Sequence, residues 1–197
     1  MSAVHLDHLA TARTKPRVRR ERQLAPWTER LLLDDGRQLL LRPIQPADAE
    51  PIRHALRLLS PEEVRMRFLH PMKEISSELV KRLTRIEPEN EFALVIAEPL
   101  PPGEALVGCV GRLSIDKGTD RAEFAVLVSH FLIGKGLGRL LMNQLIAWGR
   151  ARGLSEIYGD VLDENSAMLS LAASLGFKRE MLPDDPGIVR VRLKLKS

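Results

Sequence analysis

Three glycines alternate through Ile133-Gly134-Lys135-Gly136-Leu137-Gly138-Arg139, just ahead of an apolar stripe with helical spacing. Glycine lets a ligand approach the backbone and permits dihedrals that other residues resist. The first N–H groups of a helix have no internal partners, and the helix dipole adds partial positive charge there. Such a loop suits a phosphate or pyrophosphate, and Lys135 and Arg139 add full charges. The same glycines would also serve close packing of a helix on a sheet. The stretch is not a Walker loop, because no Gly-Lys-Ser/Thr follows. Its Gly-x-Gly-x-Gly spacing in mid-chain also departs from the dinucleotide fingerprint.

A second candidate is Glu123, within the otherwise apolar run from Ala122 to Val128. Desolvation there would raise its pKa and make it a better base, acting directly or through one water. The alternative is a strand-end carboxylate paired with Arg121 or Arg112. Cys109 lies inside an apolar strand pattern and reads as a small buried residue. His54 reads as a surface residue, and His70 and His130 as loop residues, the latter beside the glycines. Arg53, Arg57, Arg65 and Arg67 read as a solvated basic face or as a surface for acidic patches on a partner.

These residues must be held by a framework, and the pattern supplies one. Leu31 to Leu33 and Leu39 to Leu41 flank an Asp-Gly turn and read as a hairpin. Residues 47–59 and 76–86 read as helices, the second capped by Ser76 or Ser77. Residues 92–97, 105–115 and 122–128 read as strands. A helix runs from the glycines to about Arg152, with Leu137, Leu140, Leu141, Leu145 and Trp148 on one face and Gly153 at its stop. Residues 155–161 form a strand, 165–174 a helix, and 177–181 and 188–195 the last strands. The order β-β-α-α-β-β-β-α-β-α-β-β predicts an α/β fold, with a mixed sheet of six to seven strands flanked by about four helices. The unit strand–glycine loop–helix–strand should cross over right-handedly and contain a parallel pair.

Composition bounds the reading. With 197 residues, 44% of them hydrophobic and 28% charged, the chain has room for one domain with a real core. Its single cysteine excludes an internal disulfide or a cysteine-based zinc cluster, and no metal is expected. No apolar run approaches the length of a membrane helix. The net charge of +4 is concentrated near the start: residues 1–22 hold Arg13, Lys15, Arg17, Arg19, Arg20 and Arg22 against Asp7 and Glu21. The rest is neutral overall and only 4% of the chain is aromatic, which argues against nucleic acid. Residues 1–25 are expected to be a flexible basic arm and 26–197 the folded domain. A soluble, cytoplasmic protein is expected.

From Glu123 to Val128, and on through Gly134 to Arg139 into a helix, the chain resembles the acetyl-CoA-binding motif of the GNAT N-acetyltransferase superfamily. Asp163-Glu-Asn165 through Leu175-Gly176-Phe177 resembles that family's downstream helix. The resemblance runs from about Arg30 to Leu195. Leu41-Arg42-Pro43-Ile44 with Asp48, and Leu59-Ser60-Pro61-Glu62 with Met66-Arg67-Phe68, resemble bacterial protein lysine acetyltransferases that act on acyl-CoA synthetases.

The resemblance implies a GNAT fold, acetyl-CoA as donor and a protein acceptor of the acyl-CoA synthetase class. It implies that the amides of Val126, Leu127 and Val128 hold the pantetheine arm and polarise the thioester. Those of Gly134, Lys135, Gly136, Leu137, Gly138 and Arg139 would hold the pyrophosphate. Asn165 would bond the cofactor arm, and Glu123 would be the general base. Three positions depart from the family: Ile133 and His130 stand where an Arg or Gln and a Pro are usual, and Ala172 stands where many relatives carry an acidic tyrosine. The only tyrosine, Tyr158, is placed on a strand elsewhere. Two other readings of the same scaffold are a small-molecule amine acetyltransferase and a non-catalytic acetyl-CoA-responsive module.

Overall fold

The computed structural model describes residues 19–24, 28–70 and 75–196. Its strands are β1 (Arg19–Leu24), β2 (Thr28–Leu32), β3 (Gln38–Pro43), β4 (Glu91–Ala97), β5 (Val107–Ile115), β6 (Arg121–Val128), β7 (Glu156–Leu162), β8 (Lys178–Met181) and β9 (Ile188–Lys194). Its α-helices are α1 (Ala49–Arg57), α2 (Pro61–Phe68), α3 (Ser77–Thr84), α4 (Leu137–Ala151) and α5 (Ser166–Ser174). The strands form one mixed sheet in the order β1-β2-β3-β4-β5-β6-β7-β9-β8, and the β6–β7 pair is parallel. The parallel pair expected around the glycine loop is therefore present.

The sheet has nine strands against the expected six to seven, and the strand without a counterpart in the sequence reading is β1. Strand β1 is rich in arginine and lacks the alternation of a half-buried strand, yet pairs antiparallel with β2. Charged side chains suit an edge, where backbone hydrogen bonds alone define the strand. Strand β8 is exposed throughout and closes the other edge. The end of the expected arm is thus strand β1, while residues 1–18 lie outside the described residues.

Each face of the sheet has its own core. On one face α4 buries Leu137, Leu141, Met142 and Leu145 against Leu94, Ile96, Leu113 and Phe124, and Trp148 stacks on Phe92 at 5.1 Å. Full burial of each such side chain contributes about 1.5–3 kcal/mol. On the other face α1 and α3 bring Ile52, Leu56 and Val80 against Ala93, Val95 and Val107. A buried ion pair ties β3 to the entrance of α1: Arg42 donates to both oxygens of Asp48 at 2.8 and 2.7 Å, and Asp48 also accepts from the Gln45 amide at 2.8 Å.

Helix α2 is the one helix missing from the sequence reading. Its signal was local: Ser60 Oγ accepts from the Glu63 amide at 3.2 Å while the Glu63 carboxylate accepts from the Ser60 amide at 2.8 Å, with Pro61 at the first helical position. That is a reciprocal capping box. Only Val64 of the eight residues is fully buried, so the helix lacks the apolar stripe that periodicity detects. Among the described residues no helix is long and apolar enough to cross a membrane.

Candidate active site

The site begins with a split in the sheet. Strands β6 and β7 pair only through Arg121–Glu123 and Glu156–Tyr158, whereas β5 stays paired with β6 up to Val128. Beyond Glu123 the β7-side edge of β6 is open. The Ser129 amide donates to Gly108 on the β5 side at 2.9 Å. Amides along a strand alternate sides, so Leu127 also donates toward β5, while Val126 and Val128 aim theirs into the split. This corrects the expectation for Leu127, whose side chain instead packs with the second core.

At the far end of β6 the chain makes one short helical turn and enters the glycine loop. Gly134 and Gly136 sit at φ of 81° and 80°, in the left-handed region that glycine tolerates. Gly136 is the N-cap of α4 and provides no side-chain cap. The amides of Gly136, Leu137, Gly138 and Arg139 accordingly have no acceptor among the described residues. They form an anion cradle at a fifteen-residue helix. Lys135 is turned to other partners: its amide reaches the Leu132 carbonyl at 3.4 Å and its ammonium pairs with Asp35 at 3.1 Å. Arg139 donates to Ser174 Oγ at 2.6 Å, tying α4 to α5.

A cleft of about 600 Å³ joins the open strand edge to this cradle. Its walls are mostly apolar, with Met66 of α2 on one side and Met168 and Leu171 of α5 on the other. A free strand edge leading to free helix amides fits a donor with an amide-bearing arm and a pyrophosphate. The sequence profile of the acetyltransferase (GNAT) domain matches residues 38–178. The chain belongs to the GNAT acetyltransferase family. Acetyltransferase PA5475 of Pseudomonas aeruginosa is 34% identical over 169 residues, covering 86% of this chain and 89% of the relative. Among solved structures, the GNAT domain of S. lividans PAT superposes with a TM-score of 0.74 at 27% identity, covering 88% of this chain and all of that one. A cAMP-binding acyltransferase from Mycobacterium smegmatis shares the fold, with a TM-score of 0.58 at 21% identity over 86% of this chain and 48% of that one. The fold implies an acyl-CoA donor, and the protein is an N-acetyltransferase.

In this GNAT domain Glu123 stands where β6 and β7 part, on the sheet face opposite α4. It forms no hydrogen bond or ion pair with a described residue. The two arginines that could have paired with it are engaged elsewhere: Arg121 donates to Glu156 at 3.0 Å, and Arg112 to Glu91 at 2.6 Å. Neighbouring side chains take water from the Glu123 carboxyl and raise its pKa, and the nearby carboxylates of Asp160 and Asp116 raise it further. Arg67 and Arg190 oppose that shift. An exposed carboxylate without a partner among the described residues and with a raised pKa, three residues before Val126 of the cleft wall, can take a proton from an incoming amine.

Tyr158 is not elsewhere but directly beside Glu123 across the parallel pair. Its hydroxyl donates to Asp116 at 3.0 Å, and Arg121 and Arg190 lie over its ring at 5.1 and 4.8 Å. Burial and the Asp116 carboxylate push its pKa to about 12, so it is poorly placed to give up a proton. Ala172, at the family's tyrosine position, is fully buried. Asn165 lines the cleft as expected and caps α5, its Oδ1 accepting from the Met168 amide at 3.1 Å. Its side-chain NH₂ has no partner among the described residues and remains for a ligand. Burial pushes the Cys109 thiol up to about 12, as suits an inert core residue.

The sequence reading missed the α2 wall as part of the site. Glu62, Glu63, Met66 and Arg67 all face the cleft. Glu63 meets His130 Nδ1 at 3.3 Å, and Arg65 pairs with Glu164 beside Asn165, so α2 is fastened to both sides of the opening.

Proposed function

We propose that the protein transfers an acetyl group from acetyl-CoA directly to a lysine side chain of a protein, such as an acyl-CoA synthetase, with Glu123 as general base. The observation that carries this reading is the unpaired Glu123 carboxylate at the point where β6 and β7 separate. The resemblance of the Leu-Ser-Pro-Glu and Leu-Arg-Pro-Ile stretches to protein lysine acetyltransferases supports the acceptor class.

A lysine ammonium of pKa about 10.4 is neutral in only about one molecule in a thousand near pH 7.4, a deficit of about 4 kcal/mol. Glu123 takes one proton from the ammonium, directly or through a water, the freed lone pair attacks the thioester carbonyl, and the second N–H proton passes to solvent as the tetrahedral intermediate collapses. The new C–N bond forms, charge gathers on the carbonyl oxygen, and the N–H groups of the open β6 edge are the donors positioned to stabilise it. The C–S bond then breaks and its electron pair leaves on sulfur. With Ala172 at the tyrosine position, water protonates the thiolate, whose ordinary pKa near 8.5 makes that step easy.

The test is incubation with labelled acetyl-CoA and a panel of acyl-CoA synthetases, alongside polyamines, amino acids and aminoglycosides. Label on a synthetase lysine, lost in Glu123→Gln, is the expected outcome. Turnover of the small amines alone would reassign the acceptor.

A further inference from the structure

Among the described residues, the arginines around the cleft other than Arg67 are held by a protein partner. Arg65 pairs with Glu164, Arg112 with Glu91, Arg121 and Arg192 with Glu156, Arg190 with Asp160, and Arg139 bonds Ser174. Arg67 lines the cleft beside Val126 and Met66, is half-buried, and forms no hydrogen bond or ion pair with a described residue. Its guanidinium lies over the Phe68 ring at 4.9 Å, which limits how far it can swing. Arg67 keeps partial access to water, and the Glu123 carboxylate is the opposite charge acting on it from beyond ion-pair reach, so its guanidinium is open to a ligand of opposite charge that enters the cleft.

The direction of α2 fixes which end of the cleft this charge serves. Near the start of the helix, Glu63 meets His130, just past the end of β6. Arg67 comes four residues later, about 6 Å along the helix, and its charge is felt with those of Glu123 and of Arg112, which pairs with Ala125. The helix therefore runs antiparallel to β6, with Arg67 toward the Glu123 end and away from the glycine cradle. A phosphate of the donor belongs at the cradle. An anion at Arg67 belongs to the reacting end. Burial and Arg112 lower the Arg67 pKa to about 10, and Glu123 opposes them without coming within ion-pair reach.

We propose that Arg67 is the counter-ion for a substrate carboxylate delivered to the Glu123 end of the cleft. The planar guanidinium fork matches a carboxylate in two-point geometry, which a lysine does not. Two sources offer that group: an acidic side chain flanking the acceptor lysine, or the distal carboxylate of a dicarboxylic acyl donor. The proposal rests on acyl transfer occurring at this cleft.

Binding separates the proposal from that reading, because it needs no turnover. The dissociation constants of succinyl-CoA and acetyl-CoA are compared on the full chain by calorimetry. So are those of a Lys-Asp and a Lys-Asn peptide in the presence of CoA. The expected result is a roughly tenfold or larger preference for the carboxylate-bearing member of at least one pair, the scale of a charge-assisted bond. Arg67→Gln brings that pair to parity, and Arg67→Lys, which keeps the charge but not the fork, recovers only part of the preference. Preference in the first pair assigns the carboxylate to the donor; preference in the second assigns it to the acceptor. Parity in both pairs with the unaltered protein, or a preference that survives in Arg67→Gln and Arg67→Lys alike, overturns the proposal. Thiol release with an amine acceptor is followed separately, and its absence alongside an Arg67-dependent preference would count against the transfer reading alone.

Discussion

Replacing Glu123 with Gln removes the proposed base while keeping its shape and its place beside Tyr158. General-base removal costs between about a hundred- and ten-thousandfold in rate. Two features set the expected size within that range. The neighbouring carboxylates cannot substitute, because Asp116 accepts the Tyr158 hydroxyl and Asp160 is held in two-point contact by Arg190. The remaining route is the small neutral fraction of a free lysine, about one in a thousand at pH 7.4. A loss in kcat of about a thousandfold follows, equivalent to about 4 kcal/mol. At pH 9.4 about a tenth of the amine is neutral, so the defect should shrink to about tenfold. The assay is initial-rate thiol release at saturating acetyl-CoA across that pH range. Stability gives a control with a definite sign. The folded state raises the Glu123 pKa, so this group favours folding when protonated and loses that contribution as pH rises through its folded-state value. Glu123→Gln should therefore melt no lower than the parent at pH 7.4, with the comparison turning toward the parent on acidification. A kcat within about fivefold of the parent at pH 7.4, below the smallest general-base effect, would refute the reasoning. A thousandfold defect that stays constant to pH 9.4 would do the same.

Three further outcomes are expected. Asp160→Asn removes a charge that raises the Glu123 pKa, so the acid limb of the kcat/KM profile should move to lower pH; an upward move would contradict the electrostatics. Tyr158→Phe should keep kcat within about threefold, because a general acid would contribute a hundredfold or more and this hydroxyl is committed to Asp116; a hundredfold loss would make it the proton donor. Asp48→Asn leaves Arg42 as an uncompensated buried charge and should lower stability by about 3–5 kcal/mol in urea unfolding, whereas a change under about 1 kcal/mol would show the pair to be dispensable.

The residues that were legible in the chain share one property: their signal is local. The apolar stripe of α4 and the glycines before it specify both a buried helix and its exposed amides, with no need of distant contacts. The start of α5 at Asn165 was legible for the same reason, and the structure adds that its Oδ1 caps the helix by accepting from the Met168 amide three residues on. The face of a strand amide is different. Leu127 lies between Val126 and Val128 in an unbroken apolar run, and only the register with β5 decides that its N–H turns away from the split. Tyr158 was hidden in the same way, and Arg67, read in the sequence as part of a solvated face or a surface for acidic patches, could not be told from Arg53, Arg57 and Arg65. The parallel pairing that sets Tyr158 beside Glu123 joins segments separated by the whole of α4, and a single arginine carries no trace of whether a carboxylate waits for it.

That difference orders the physics of the site. The donor end is built from main chain: its amides are exposed by helix geometry and by the early end of the β6–β7 pairing, so many side-chain sequences can make it. The acceptor end is built from side-chain charges whose states depend on one another. Asp116 and Asp160 raise the pKa of Glu123, the proposed base, while each is engaged by a neighbour, Asp116 by the Tyr158 hydroxyl and Asp160 by Arg190. Arg67 pulls Glu123 the other way. A substrate carboxylate seated on Arg67 would cancel that pull and raise the Glu123 pKa once more, so that filling the acceptor end would itself strengthen the base.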